Sequence, residues 1–157
     1  MEDMKKEKIS LSELFPTITA MLETGGEFLF YPDGESMLPT IRSGRDGVVL
    51  CRAEEIKRGD LLLYRRGDGS FVLHRLVKIR KNGSFIMRGD NQYINEYGIK
   101  KDNVVGKVCA IMRGKKRIST FSLSFRAKSS LRLFFYPAKK LFFRARRKLK
   151  KIAGRKR

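Results

Sequence analysis

Between residues 27 and 113 the chain falls into short apolar runs divided by turn signals, and this pattern limits its fold more than any other feature. The runs are EFLFYP, GVVLCRA, DLLLYRR, SFVLHRLVKI, SFIMRG and NVVGKVCAIMR. Between them stand SGRDG, KRGD, RGDGS, RKNGS and the Gly89-Asp90-Asn91 step. Gly-Asp-Gly and Asn-Gly supply the positive-φ positions that tight hairpins need. Short strands at this spacing favour a mainly β architecture, a small antiparallel sheet or barrel, over alternating βαβ units. The 157 residues suffice for one such domain with an appendage.

The flanks differ from this centre. Ser10 and Glu13 fit a capping box, and Leu11, Leu14, Phe15, Ile18 and Leu22 recur at helical spacing until Gly25-Gly26. Beyond Ser119 the segment SSLRLFFYPAKKLFFRARRKLKKIAG places Leu131, Phe134, Phe135, Ala138, Leu141, Phe142, Ala145, Leu149 and Ile152 at steps of three and four, with Lys and Arg between them. Ser129 or Ser130 is a candidate cap for this helix, and Pro137 would kink it or begin a second one. The expected organisation is an N-terminal helix in 1–26, a β domain in 27–119 and a basic amphipathic tail in 120–157.

Charge follows the same division. The formal net charge is +20, and all 16 acidic residues lie at or before Asp102. Residues 120–157 hold 14 Lys and Arg and no acid, which leaves the rest at 22 basic against 16 acidic, a net +6. Such a tail calls for an anionic partner. A basic face opposite Leu and Phe is the composition of an interfacial helix on a bilayer. Docking of the apolar face on the sheet and binding of nucleic acid are the alternatives. The aromatic stripe favours the first two, since phosphate binding has no need of Phe134, Phe135, Phe142 and Phe143.

Cys51 and Cys109 could form one bridge, but they sit in apolar runs and read instead as reduced residues of neighbouring strands. One histidine in the chain argues against a zinc site, and no cofactor is expected. Glu13 and Pro16 interrupt the only candidate for an apolar signal region, so a cytoplasmic location is expected.

Residues 33–40 read D-G-E-S-M-L-P-T. Ser36 is either a turn residue or a nucleophile, and a serine hydroxyl needs a proton acceptor to attack at neutral pH. The chain's single histidine, His74, lies in the strand-like run FVLHRLVKI. There Phe71, Leu73, Arg75 and Val77 would share one face, and Val72, His74, Leu76 and Lys78 the other. Neither the serine nor the histidine is specific alone.

Their order is. Gly-Glu-Ser-Met-Leu-Pro-Thr, then Arg58-Gly59-Asp60 before an apolar strand, then Leu-His-Arg-Leu-Val, then Arg-Gly-Asp-Asn resembles the catalytic core of the peptidase S24/S26 group, over about Gly34 to Gly106. The resemblance implies a mostly β fold and a serine-type endopeptidase acting on polypeptides. Ser36 matches the nucleophile. His74 falls where many members place a lysine base, and a histidine followed by Arg75 resembles the endoplasmic-reticulum and archaeal signal peptidases. Asp90 then matches the carboxylate that assists the histidine, and a second acidic position falls near Glu96. The Glu35-Ser36-Met37 segment would face the substrate, with the Ser36 amide toward the developing oxyanion. The position two before the nucleophile, a hydroxyl residue in some members, is Gly34. Asp60 reads as structural.

Signal peptidases are normally held by an N-terminal membrane helix, which the first residues here do not resemble. Membrane contact would fall to the basic tail, at the inner face of the membrane, with each Lys or Arg near anionic lipid contributing about 1 kcal/mol. Two other classes stand beside the peptidase reading. One is an inactive S24/S26-fold binding or regulatory protein that uses its tail on lipid or nucleic acid. The other, a self-cleaving regulator, would need more than the 35 residues before Ser36 for a DNA-binding domain and linker.

Overall fold

The computed structural model describes residues 11–153, with side chains through Pro137 and at Leu141. The Ser10 cap position therefore lies outside the described residues. The elements run α1 (Leu11–Glu23), β1 (Phe28–Phe30), β2 (Asp46–Cys51), β3 (Leu61–Arg65), β4 (Phe71–Ile79), β5 (Phe85–Arg88), β6 (Glu96–Ile99), β7 (Val104–Arg113), β8 (Lys116–Ser119) and α2 (Leu123–Ala153). All strand pairs are antiparallel, in the order β1-β2-β7-β3-β4-β5-β6, with β8 against β7. The mainly β antiparallel architecture expected from the punctuated runs is the one observed.

β3 is central, held by β4 on one side and β7 on the other. Its Leu61, Leu62, Leu63 and Tyr64 are all buried, because both faces of the sheet are covered. Leu61 and Leu63 join Ile18 and Leu22 of α1 in one cluster, while Leu62 and Tyr64 join Leu76, Phe85 and Met87 in another. The two-residue period thus sorts neighbours on one strand into two cores. Alternation along β4 holds from Phe71 to Leu76 and is then broken by a bulge between Leu76 and Lys78.

α1 closes as Gly25-Gly26 predicts. The Gly26 amide bonds the Met21 carbonyl at 2.9 Å and the Gly25 amide bonds Leu22 at 3.1 Å, with Gly25 at φ 81°. Cys51 and Cys109 are free thiols on the adjacent strands β2 and β7.

The C-terminal helix departs from expectation. It starts at Leu123, six residues before Ser129, and the Ser122 hydroxyl accepts the Phe125 amide at 3.3 Å as its cap. Pro137 lies within one continuous helix. Phe125, Ser129, Leu133 and Tyr136, spaced four, four and three apart, form the face against the body. Phe125 packs on the main core, Ser129 and Leu133 are buried, and the Tyr136 hydroxyl donates to the Tyr93 carbonyl at 2.5 Å.

Candidate functional site

Ser36 and His74 line one groove of about 780 Å3. Its walls include Leu14 of α1, Phe30, Met37, Phe71 and Leu73. Asp33, Arg66 and Gln92 also line it, so apolar walls carry polar groups among them, as in a substrate cleft.

The Ser36 loop is fixed by its backbone. The Leu38 amide bonds the Glu35 carbonyl at 3.2 Å, and the Ile41 amide bonds Met37 at 3.0 Å. Met37 is buried, tying the loop to the core. Asp46, fully buried, ends the segment. It accepts Arg42 through a backbone and a side-chain bond and Arg113 at 2.9 Å, while Arg113 also donates to the Thr40 carbonyl. Burial alone would raise the Asp46 carboxyl, but the two guanidiniums hold it well below the usual range. The Glu35 side chain is exposed and lies off the groove lining.

The Arg-Gly-Asp-Asn box wraps this loop from behind. The Asn91 amide donates to the Ser36 carbonyl at 2.8 Å. A Cβ built on Gly89 would stand 2.5 Å from that same oxygen and 3.0 Å from the Ser36 Cβ, so only glycine lets the two segments touch. Asp90 receives Arg75 through two bonds of 2.7 Å and also the Thr40 hydroxyl.

His74 is 3 % exposed, and burial pushes its pKa down to about 4, so the ring is neutral at physiological pH. Its Nδ1 stands 3.1 Å from the Tyr64 hydroxyl, which donates to Glu96 Oε2 at 2.7 Å. Arg66 grips the same carboxylate with bonds of 2.6 and 2.7 Å. Burial would raise the Glu96 carboxyl, but Arg66 and Tyr64 lower it overall. Burial and then Glu96 raise the Tyr64 hydroxyl, which stays protonated. Because that proton goes to Glu96, the Tyr64 oxygen is left to accept from Nδ1–H. The favoured tautomer therefore carries its lone pair on Nε2.

Asp90 was expected to assist the histidine, and here the hydrogen bonds run otherwise. His74 and Arg75 point to opposite faces of β4, and Asp90 engages Arg75. The carboxylate joined to His74 is Glu96, through Tyr64. Asp60 shapes a turn: its carboxylate accepts the Lys57 amide at 2.8 Å and its carbonyl the Leu76 amide at 2.8 Å. Among the described residues the Ser36 hydroxyl makes no hydrogen bond, and the Ser36 amide has no protein acceptor.

A family model described as peptidase S24-like matches residues 3–109, more than half of the chain. The chain belongs to the peptidase S24-like family. The matched span takes in α1, the Ser36 loop, His74 and the Arg-Gly-Asp-Asn box, and it stops inside β7. A search of curated proteins finds no match.

Tyr64 and Arg66 were missed in the sequence. The Arg66–Ser70 hairpin pairs Leu62 with His74 and Tyr64 with Val72, which sets Tyr64 diagonal to the histidine on one face. Counting register back from Gly67-Asp68-Gly69-Ser70 would have found it.

Proposed function

We propose that this S24-like protein is a serine-type endopeptidase in which Ser36 is the nucleophile and His74 the general base. The observation that carries the reading is the pairing of a loop-held serine with a buried, neutral histidine in one groove. Ser36 Oγ attacks the peptide carbonyl as Nε2 takes its proton. Collapse of the tetrahedral intermediate breaks the C–N bond, and the proton passes to the leaving amine. Water then releases the acyl group by the same route. The Ser36 amide faces the oxyanion, a contact that contributes about 3 kcal/mol in other enzymes.

Tyr64 and Glu96 take the orienting role that the family resemblance assigned to Asp90. A Tyr64–Glu96 pair supports imidazolium as it forms, since the Glu96 carboxylate lies 3.8 Å from Nδ1. A groove of about 780 Å3 is large enough for a peptide segment. Catalytic hydrogen bonds are often unformed before substrate arrives, which accounts for the unengaged Ser36 hydroxyl.

The test compares wild type, Ser36→Ala and His74→Ala on a peptide library, with circular dichroism to verify folding. Cleavage by the wild type alone supports the reading. Equal turnover in all three overturns it, and no turnover in the wild type overturns it and leaves an S24-fold binding protein.

A further inference from the structure

α2 presents a second apolar surface that the body does not cover. Leu131, Phe134, Phe135 and Leu141 are 57, 75, 56 and 70 % exposed. Phe134 and Phe135 meet edge-to-face with centroids 5.3 Å apart. At 100° per residue these positions fall on the side of the helix opposite Phe125, Ser129, Leu133 and Tyr136. The helix is thus apolar toward solvent and attached by a narrower face, and its repeat continues in the sequence to Ile152.

We propose that this outward stripe lies in the surface of an anionic bilayer and holds the S24-like domain there. A patch of large exposed side chains marks an interaction surface, and charge selects the occupant. The 14 Lys and Arg after Thr120 have no acidic residue among them. A second copy docked through α2 would bring two such tails together, so self-association is disfavoured. Anionic headgroups neutralise the flanking cations while Leu and Phe enter the acyl boundary. The helix rests on the surface and does not cross it: among the described residues no helix is long and apolar enough to span.

The attachment also reaches the candidate site. The buried Ser129 hydroxyl accepts Arg75 Nη1 at 2.6 Å, and Arg75 grips Asp90 beside the Ser36 loop. A helix lying on the membrane therefore sits three hydrogen bonds from the segment that carries the serine, through Ser129–Arg75, Arg75–Asp90 and Asp90–Thr40.

The experiment uses the full chain with vesicles of phosphatidylcholine alone and of phosphatidylcholine with phosphatidylglycerol. Cosedimentation is measured for wild type and for Leu131→Ser/Phe134→Ser/Phe135→Ser, all at exposed positions. The expected result is binding to the anionic vesicles, weakened by salt, with at least a tenfold loss in the triple variant and no change in thermal midpoint. The chain has no tryptophan, so Phe134→Trp is a single reporter whose emission shifts to the blue on those vesicles. Failure of the wild type to bind, equal binding by the triple variant, or an unshifted tryptophan overturns the proposal. Dimerisation through the stripe, or binding to a nucleic-acid duplex without vesicle binding, does the same. Ser36→Ala should bind as wild type does, so this result is separate from that of the peptidase test.

Discussion

Arg75 and Asp90 form a bidentate ion pair with two hydrogen bonds of 2.7 Å, their side chains only 2 and 5 % exposed. Burial would raise the Asp90 carboxyl, but Arg75 and then Thr40 lower it overall. The pair joins β4 to the loop behind Ser36, and Arg75 also reaches the Gly59 carbonyl and Ser129. Asp90 is thereby a brace for the Ser36 loop more than a partner of His74.

Removing one member of such a pair leaves a buried charge uncompensated. Asp90→Asn should lower stability by about 3 kcal/mol, a drop in thermal midpoint of about 10 °C for a chain of this size. Cleavage by the folded fraction should keep the wild-type pH profile. Unchanged stability with an altered profile would return Asp90 to the histidine.

Tyr64→Phe separates orientation from bracing. It removes the oxygen that accepts from Nδ1–H, and Glu96 at 3.8 Å is too distant to replace it. The imidazole then loses its tautomer preference. We expect kcat/KM to fall roughly tenfold to a hundredfold, as when partners of functional histidines are removed elsewhere. The lost bond should cost about 1–3 kcal/mol of stability. The deciding readout is the acid limb of the pH–rate profile, which should move in Tyr64→Phe and stay in place in Asp90→Asn.

Much of this arrangement is legible before any coordinates. Hairpin signals and apolar runs locate β1 to β5 and β7, and the order of motifs brings Ser36 and His74 into one groove. β6 and β8 escape notice because Glu-Tyr-Gly-Ile and Lys-Arg-Ile-Ser are short and too polar to stand out from loop. The α2 cap is misplaced by about two turns because several serines precede the apolar repeat, and only tertiary contact shows that Ser129 faces Arg75. The partner of His74 is hidden for another reason. Alternation says which residues share a face, but Asp90 arrives on a loop and Glu96 at the head of the unnoticed β6, paired with Met87, and no period gives that register.

Gly89 is the point where the Arg-Gly-Asp-Asn box and Ser36 touch. Gly89→Ala sets a methyl group against the Ser36 carbonyl, and backbone on both sides leaves little room to yield. The expected cost is about 1–3 kcal/mol. Displacing the serine by even about 1 Å should lower kcat/KM by roughly a hundredfold. An alanine variant with wild-type kinetics would show that the loop position is immaterial to the chemistry.

The histidine links activity and stability to pH in one direction. Burial lowers its folded pKa to about 4, against about 6.5 in the unfolded chain. Between these values the unfolded chain binds the proton and the native one does not. Stability therefore falls as pH drops through this window, and the term is constant below about 4. From about pH 6.5 to 5 the loss should be about 2 kcal/mol, above the range where the depressed Asp90 and Glu96 carboxyls protonate. Urea unfolding of wild type and His74→Gln across this interval isolates it, since the variant should lose that slope. Cleavage should stay level from neutral pH to about pH 5, because the base remains unprotonated there. An acid limb near pH 6.5 would mean that water reaches the imidazole and that the ring is not buried as described.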